Sequence, residues 1–64
     1  MKIKSHKLEK EIASQARSYK EIASAAGISE RTLKQARNGA RIQPATAGRI
    51  AAALGVPIDE LISD

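Results

Sequence analysis

Apolar residues recur along this chain at helical spacing, in short bursts separated by glycine or proline. Leu8, Ile12 and Ala16 stand one helical turn apart. They lay a stripe along a first helix predicted over roughly 6–16, with Ser5 as its cap. Ile22, Ala23 and Ala26 make the inner face of a second helix, roughly 19–26, capped by Ser18. Gly27 suits the left-handed residue that ends it. Ile28 falls inside the next turn and is expected to be buried. Ser29 caps a third helix, roughly 30–37, in which Leu33 and Ala36 are the only apolar residues. That helix buries a narrow strip, exposes the rest, and stops at Asn38-Gly39. Pro44, with Gln43 before it as the cap, opens a fourth helix, roughly 44–54. Its Ala47, Ile50, Ala51 and Leu54 share one face, and Gly55 ends it. Pro57 opens a last short helix, roughly 57–63, carrying Ile58, Leu61 and Ile62.

Strand-type alternation is not sustained, and alanine, the best helix former, is abundant. The expected fold class is therefore all-α: a compact five-helix domain over residues 1–64, with 1–5 as a flexible basic arm or tail. The expected core is Leu8, Ile12, Ile22, Ala23, Ala26, Ile28, Leu33, Ala36, Ala47, Ile50, Ala51, Leu54, Val56, Ile58 and Leu61. It holds neither Phe nor Trp. Alanine lets helix axes approach closely but contributes little burial. A domain this short buries only about 60% of its unfolded surface, so added stability from self-association is expected.

Composition narrows the chemistry. The 64 residues contain no cysteine and one histidine, His6, so disulfides and thiolate metal sites are excluded and a zinc or catalytic role for His6 is not expected. There is no apolar run of membrane-spanning length and no signal-peptide pattern, which predicts a complete cytoplasmic chain. Net charge is +4 and unevenly spread. Residues 1–20 carry Lys2, Lys4, Lys7, Lys10, Arg17 and Lys20 against Glu9 and Glu11. Residues 44–64 carry only Arg49 against Asp59, Glu60 and Asp64. A basic front and an acidic tail imply an anionic partner on one side.

The segment from Tyr19 to Gly39 meets the local demands of a helix-turn-helix. Ala23 is small where two steeply crossing helices touch. Gly27 is free to take the positive φ of the turn. Ile22, Ala26, Ile28, Leu33 and Ala36 occupy the inward positions. Such a unit presents its second helix to the DNA major groove.

On these residues the chain resembles the phage repressor/Cro-like helix-turn-helix family, also called the XRE family. Ser18-Tyr19-Lys20-Glu21-Ile22-Ala23 is similar to its second helix, Gly27-Ile28-Ser29 to its turn, and Leu33 through Gly39 to the end of its recognition helix. Ile50-Ala51-Ala52-Ala53-Leu54-Gly55-Val56-Pro57-Ile58-Asp59-Glu60-Leu61 resembles its last two helices. The resemblance covers roughly residues 8–62. It implies a lambda-repressor-like domain that regulates transcription as a dimer on an operator. The family commonly has Gln at the start of helix 2, where this chain has Tyr19, and Gly-Leu where this chain has Ala16-Arg17. The loop after Gly39 is about one residue shorter than is common.

Base-reading candidates are the solvent-side residues of helix 3: Glu30, Arg31, Lys34 and Gln35. Arg31 can fork onto guanine, Gln35 can pair with adenine, and Glu30 can accept from cytosine. Glu30 has a second reading, as a first-turn acid paired with Lys34. Phosphate-binding candidates are Arg17, Ser18, Tyr19, Lys20, Thr32, Asn38 and Arg41, supported by the free N–H groups at the start of helix 2. Tyr19 can instead pack over the corner between helices 1 and 2.

Leu54, Val56, Ile58, Leu61 and Ile62 are read either as a self-complementary dimer patch or as a cap on the core. The expected function is sequence-specific binding of double-stranded DNA, with repression by promoter occupancy as a homodimer on a near-palindromic operator. No effector domain is expected within these 64 residues. The alternatives are an antitoxin that represses its own operon and a protein–protein interaction module. No cofactor, metal, membrane or small-molecule substrate is expected. No nucleophile–base pair or metal-ligand cluster suggests an enzyme.

Overall fold

A computed structural model describes residues 1–63. Five helices follow one another: α1 (Ser5–Ser14), α2 (Tyr19–Ala26), α3 (Glu30–Arg37), α4 (Pro44–Leu54) and α5 (Ile58–Leu61). The second, third and fourth begin and end where the apolar periodicity and the cap residues placed them. α2 lies against both α3 and α4, while α1 packs on α3 and α5. The apolar cluster they enclose contains Leu8, Ile22, Leu33, Ile50 and Leu61 as its largest fully buried side chains. Ile28, Val56 and Ile58, expected inside, are half-buried at its margin.

Four helices end in the same way. The chain turns left-handed just past the last helical residues, and two amides reach back to carbonyls of the final turn. For α2 these are Gly27 N–H to Ser24 O (3.1 Å) and Ile28 N–H to Ala23 O (3.0 Å). α3 and α4 repeat the pattern at Gly39 and Gly55. α1 repeats it without a glycine: Ala16 N–H reaches Ala13 O (3.1 Å), Arg17 N–H reaches Ile12 O (3.5 Å), and Ala16 takes φ +52°. Ala16 is thus the exposed end of the α1 turn and not part of its apolar stripe.

The other start and stop signals differ from expectation in instructive ways. Ser5 does not cap α1; Lys4 holds that position, in extended conformation and without a capping side chain. The Ser5 hydroxyl instead donates to the carbonyl of Arg37 and ties α1 to the end of α3. α5 is shorter than predicted because Ile62 leaves the helix for an antiparallel bridge with Ile3.

That bridge changes the picture of the amino terminus. Residues 1–4 are not the loose arm suggested by their lysines. Lys4 N–H donates to Leu61 O (2.8 Å), Ser63 N–H to Lys2 O (2.9 Å), and Ile42 N–H to Met1 O (2.8 Å). Ile3 is 3% exposed and belongs to the core. The first residues therefore staple the carboxyl-terminal segment to the loop after α3.

Candidate nucleic-acid interface

α2 and α3 owe their placement to two serine caps and one glycine. Ser18 Oγ accepts from Glu21 N–H (3.1 Å), and the Glu21 carboxylate accepts from Ser18 N–H (2.9 Å). This reciprocal box pins the start of α2. It also holds the Glu21 pKa below the usual glutamate value, through the Ser18 backbone bond first, then the Ser18 hydroxyl, with the nearby Arg17 charge adding to it. Ser29 Oγ accepts from Thr32 N–H (3.0 Å) and exchanges a hydrogen bond with Thr32 Oγ1 (2.8 Å). Gly27, at φ +72°, turns the chain between the two helices.

The exposed face of α3 is clean. Leu33 and Ala36 are fully buried. Glu30, Arg31, Lys34 and Gln35 are all exposed, on an arc opposite that strip. Lys34 Nζ lies 3.5 Å from Glu30 Oε2, the exposed i,i+4 pair weighed above. Arg31 and Gln35 have no side-chain partner among the described residues. Their hydrogen-bonding groups stand ready, at no cost in broken internal bonds. Thr32 and Arg37 flank the arc and are half-buried.

The phosphate-binding candidates divide. At the start of α2, the Tyr19 and Lys20 amides make no intrahelical bond, as expected of the first turn, and Lys20 is exposed. Ser18 is occupied by its capping box, although its hydroxyl proton remains able to donate. Asn38 is exposed at the end of α3, and Arg41 is exposed in the loop that follows. Arg17 points elsewhere: its Nη1 donates to Ala53 O (3.0 Å) and to Gln15 Oε1 (3.2 Å). Gln15 Nε2 donates in turn to Leu54 O (2.7 Å). These two side chains satisfy carbonyls that the end of α4 leaves open, and a cation there also suits the helix dipole.

Sequence reasoning assigned nothing to Arg37, which the structure makes a junction. Its guanidinium carbon lies 5.2 Å from the centroid of the Tyr19 ring. Its Nε lies 3.4 Å from Asn38 Oδ1 and 4.0 Å from Glu9 Oε1. Tyr19 raises the Arg37 pKa above its usual value, through hydrogen bonding first and charge second, with a smaller push from Glu9. The Tyr19 ring is thus packed between the start of α2 and the end of α3. An isolated Arg–Tyr pair eighteen positions apart leaves no periodic trace; their positions at opposite ends of the helix-turn-helix were the available signal.

The expected dimer patch is partly an interior. Leu54 is 4% and Leu61 0% exposed, because both point into the core from α4 and α5. Val56, Ile58 and Ile62 are half-buried. No large hydrophobic residue is exposed among the described residues.

No helix among the described residues is long and apolar enough to cross a membrane. A family model described as helix-turn-helix matches residues 8–61, which is most of the chain. Searches of curated proteins and of solved structures give no match.

Proposed function

The chain belongs to the phage repressor/Cro-like helix-turn-helix family, whose members are DNA-binding transcription regulators of the XRE type, and from that premise we propose that α3 reads a specific double-stranded operator. Arg31 and Gln35 read base edges in the major groove, one through a guanidinium fork and the other through its amide. Lys34 and Glu30 serve the same groove as a mutually paired couple. Tyr19, Lys20, Asn38 and Arg41 hold the sugar-phosphate backbone, assisted by the Ser18 and Thr32 hydroxyls. Arg17 is left to its structural task at the end of α4.

The observation that carries this reading is the exposed arc of α3: long polar side chains opposite a buried Leu33–Ala36 strip, with Arg31 and Gln35 unpartnered among the described residues.

The reading extends to repression by occupying promoter DNA in the cytoplasm, which needs no chemistry beyond binding. Two copies occupy a near-palindromic site with half-sites about 10–10.5 bp apart, so that both recognition helices meet one face of the duplex. Leu54 and Leu61 do not mediate the pairing. Val56, Ile58 and Ile62 offer at most a narrow edge for it, and the copies meet on the DNA. Titration of a selected duplex against a scrambled one tests the binding claim. A preference reduced in Arg31→Ala is expected; one affinity of the wild type for all sequences would refute it.

A further inference from the structure

α3 carries three cations. Arg31 and Lys34 lie on its exposed arc, and Arg37 does not. Arg37 spreads over the Tyr19 ring at 5.2 Å, an arrangement that suits a flat, weakly hydrated guanidinium better than an ammonium. Its Nε–H makes a long 3.4 Å hydrogen bond to Asn38 Oδ1. With that oxygen turned to Arg37, the Asn38 Nδ2–H donors are left for an acceptor outside the protein. The charge of Arg37 is already faced by Glu9, and its backbone carbonyl is held by Ser5. Three elements therefore meet on one residue: α1 through Ser5 and Glu9, α2 through Tyr19, and the loop after α3 through Asn38.

The geometry points to Arg37 as a positioning residue for DNA recognition, one that holds Tyr19 and Asn38 as a single backbone-gripping unit and so fixes how deeply α3 sits in the groove. This rests on the DNA reading given above. Arg37 makes no phosphate contact of its own. Its loss blurs the choice of sequence while leaving the number of neutralised phosphates unchanged. A direct phosphate contact would behave in the opposite way, weakening all duplexes alike and flattening the salt dependence by about 0.9 in slope.

The test is a double-mutant cycle on the ratio of selected-site to scrambled-duplex affinity, measured across salt concentrations. Arg37→Met and Tyr19→Leu are each expected to lower the ratio about two- to fivefold, the range of an exposed cation–π contact, at unchanged salt slope. The double variant should lose no more than the larger single loss, because the two side chains act as one. Tyr19→Phe keeps the ring but loses the hydroxyl that meets the phosphate, so it should weaken selected and scrambled duplexes alike and keep their ratio, which separates the ring from the phenol hydroxyl. Arg37→Lys, with the charge but not the plane, stands in if the methionine variant fails to fold by circular dichroism, and should show the same loss. Without DNA, the Arg37 side-chain protons should be shifted upfield by the ring in the wild type and in Tyr19→Phe, and released in Tyr19→Leu. Additive losses, an intact ratio, a flattened slope in Arg37→Met or the absence of the ring shift would overturn this role. A wild type that prefers no sequence overturns the DNA reading and this role with it. A discriminating wild type with equally discriminating variants overturns only the role of Arg37.

Discussion

Ala16 and Gly27 hold the same station at the ends of two successive helices, with φ of +52° and +72°. Only one of them is a residue that tolerates it freely. A left-handed L-residue costs roughly 1–2 kcal/mol, and glycine gives back about half of that through the freedom of its unfolded chain. Ala16→Gly is therefore expected to stabilise the domain by about 0.5–1 kcal/mol, raising Tm by a few degrees. Gly27→Ala should destabilise it by about 1 kcal/mol. Space is no obstacle there, since an added Cβ would meet only the tip of Arg49 at 3.9 Å. Thermal melts of the two variants, moving in opposite directions, check the argument.

The carboxyl end of α4 depends on two side chains from the α1–α2 corner. Arg17→Ala removes the bond to Ala53 O and the one to Gln15, and Gln15→Ala removes the bond to Leu54 O. Each should cost about 1–2 kcal/mol in urea unfolding. Arg17→Ala should leave the salt slope of DNA binding unchanged. A slope flattened by about one would return Arg17 to the phosphate contacts.

Ile3 anchors the amino-terminal staple. Ile3→Ala opens a cavity in the core and should cost about 2–4 kcal/mol, a large part of the stability of so short a chain. Hydrogen exchange should show the Lys4, Ile42 and Ser63 amides losing protection together. Protection unchanged at Ile42 would mean that the staple does not reach the loop after α3.

The capping box gives α2 a pH dependence of known sign. The Glu21 pKa is lowered in the folded state, so its contribution is complete above the unfolded glutamate value and is lost as pH falls through the lowered one. The start of α2 should fray as the pH falls below the ordinary glutamate range, seen as lost protection of the Ser18 amide, whose acceptor is the titrating carboxylate. Glu21→Gln should abolish that pH dependence, and Ser18→Ala should cost about 1 kcal/mol at neutral pH.

What the sequence made legible was local. Ser18, Ser29, Gly27, Pro44 and Gly55 act on their own helix ends, within a few residues, so their meaning is written beside them. The inward positions of α2 and α3 follow from helical period alone. Ser5 and Arg17 were misplaced, and Gln15 was given no role, because each reaches a backbone carbonyl over 30 residues away. A carbonyl carries no residue identity, so nothing in the sequence announces the partner. Ile3 was missed for a related reason: a one-pair bridge has no alternation to detect. Leu54 and Leu61 stood both in the expected core and in the candidate dimer patch, because counting apolar residues near a chain end does not say which way they point; both point inward. In the candidate site, the exposed arc of α3 could be read by period, whereas the Tyr19–Arg37–Asn38 junction needed the crossing of two helices in space.

Separate roles for bases and phosphates follow from the exposed face. Arg31→Ala should cost roughly 1–3 kcal/mol on the selected site and relax the preference at one base pair. Lys20→Ala should weaken all duplexes about equally and flatten the salt slope by about 0.9.

Selection of binding sites from random duplex DNA, run side by side with wild type and Arg31→Ala, tests the central claim most directly. The account predicts an enriched near-palindrome with half-sites about 10–10.5 bp apart or a multiple of that, and loss of preference at one position per half-site in the variant. Pools that stay random with the wild type, or that enrich identically with both proteins, would contradict it.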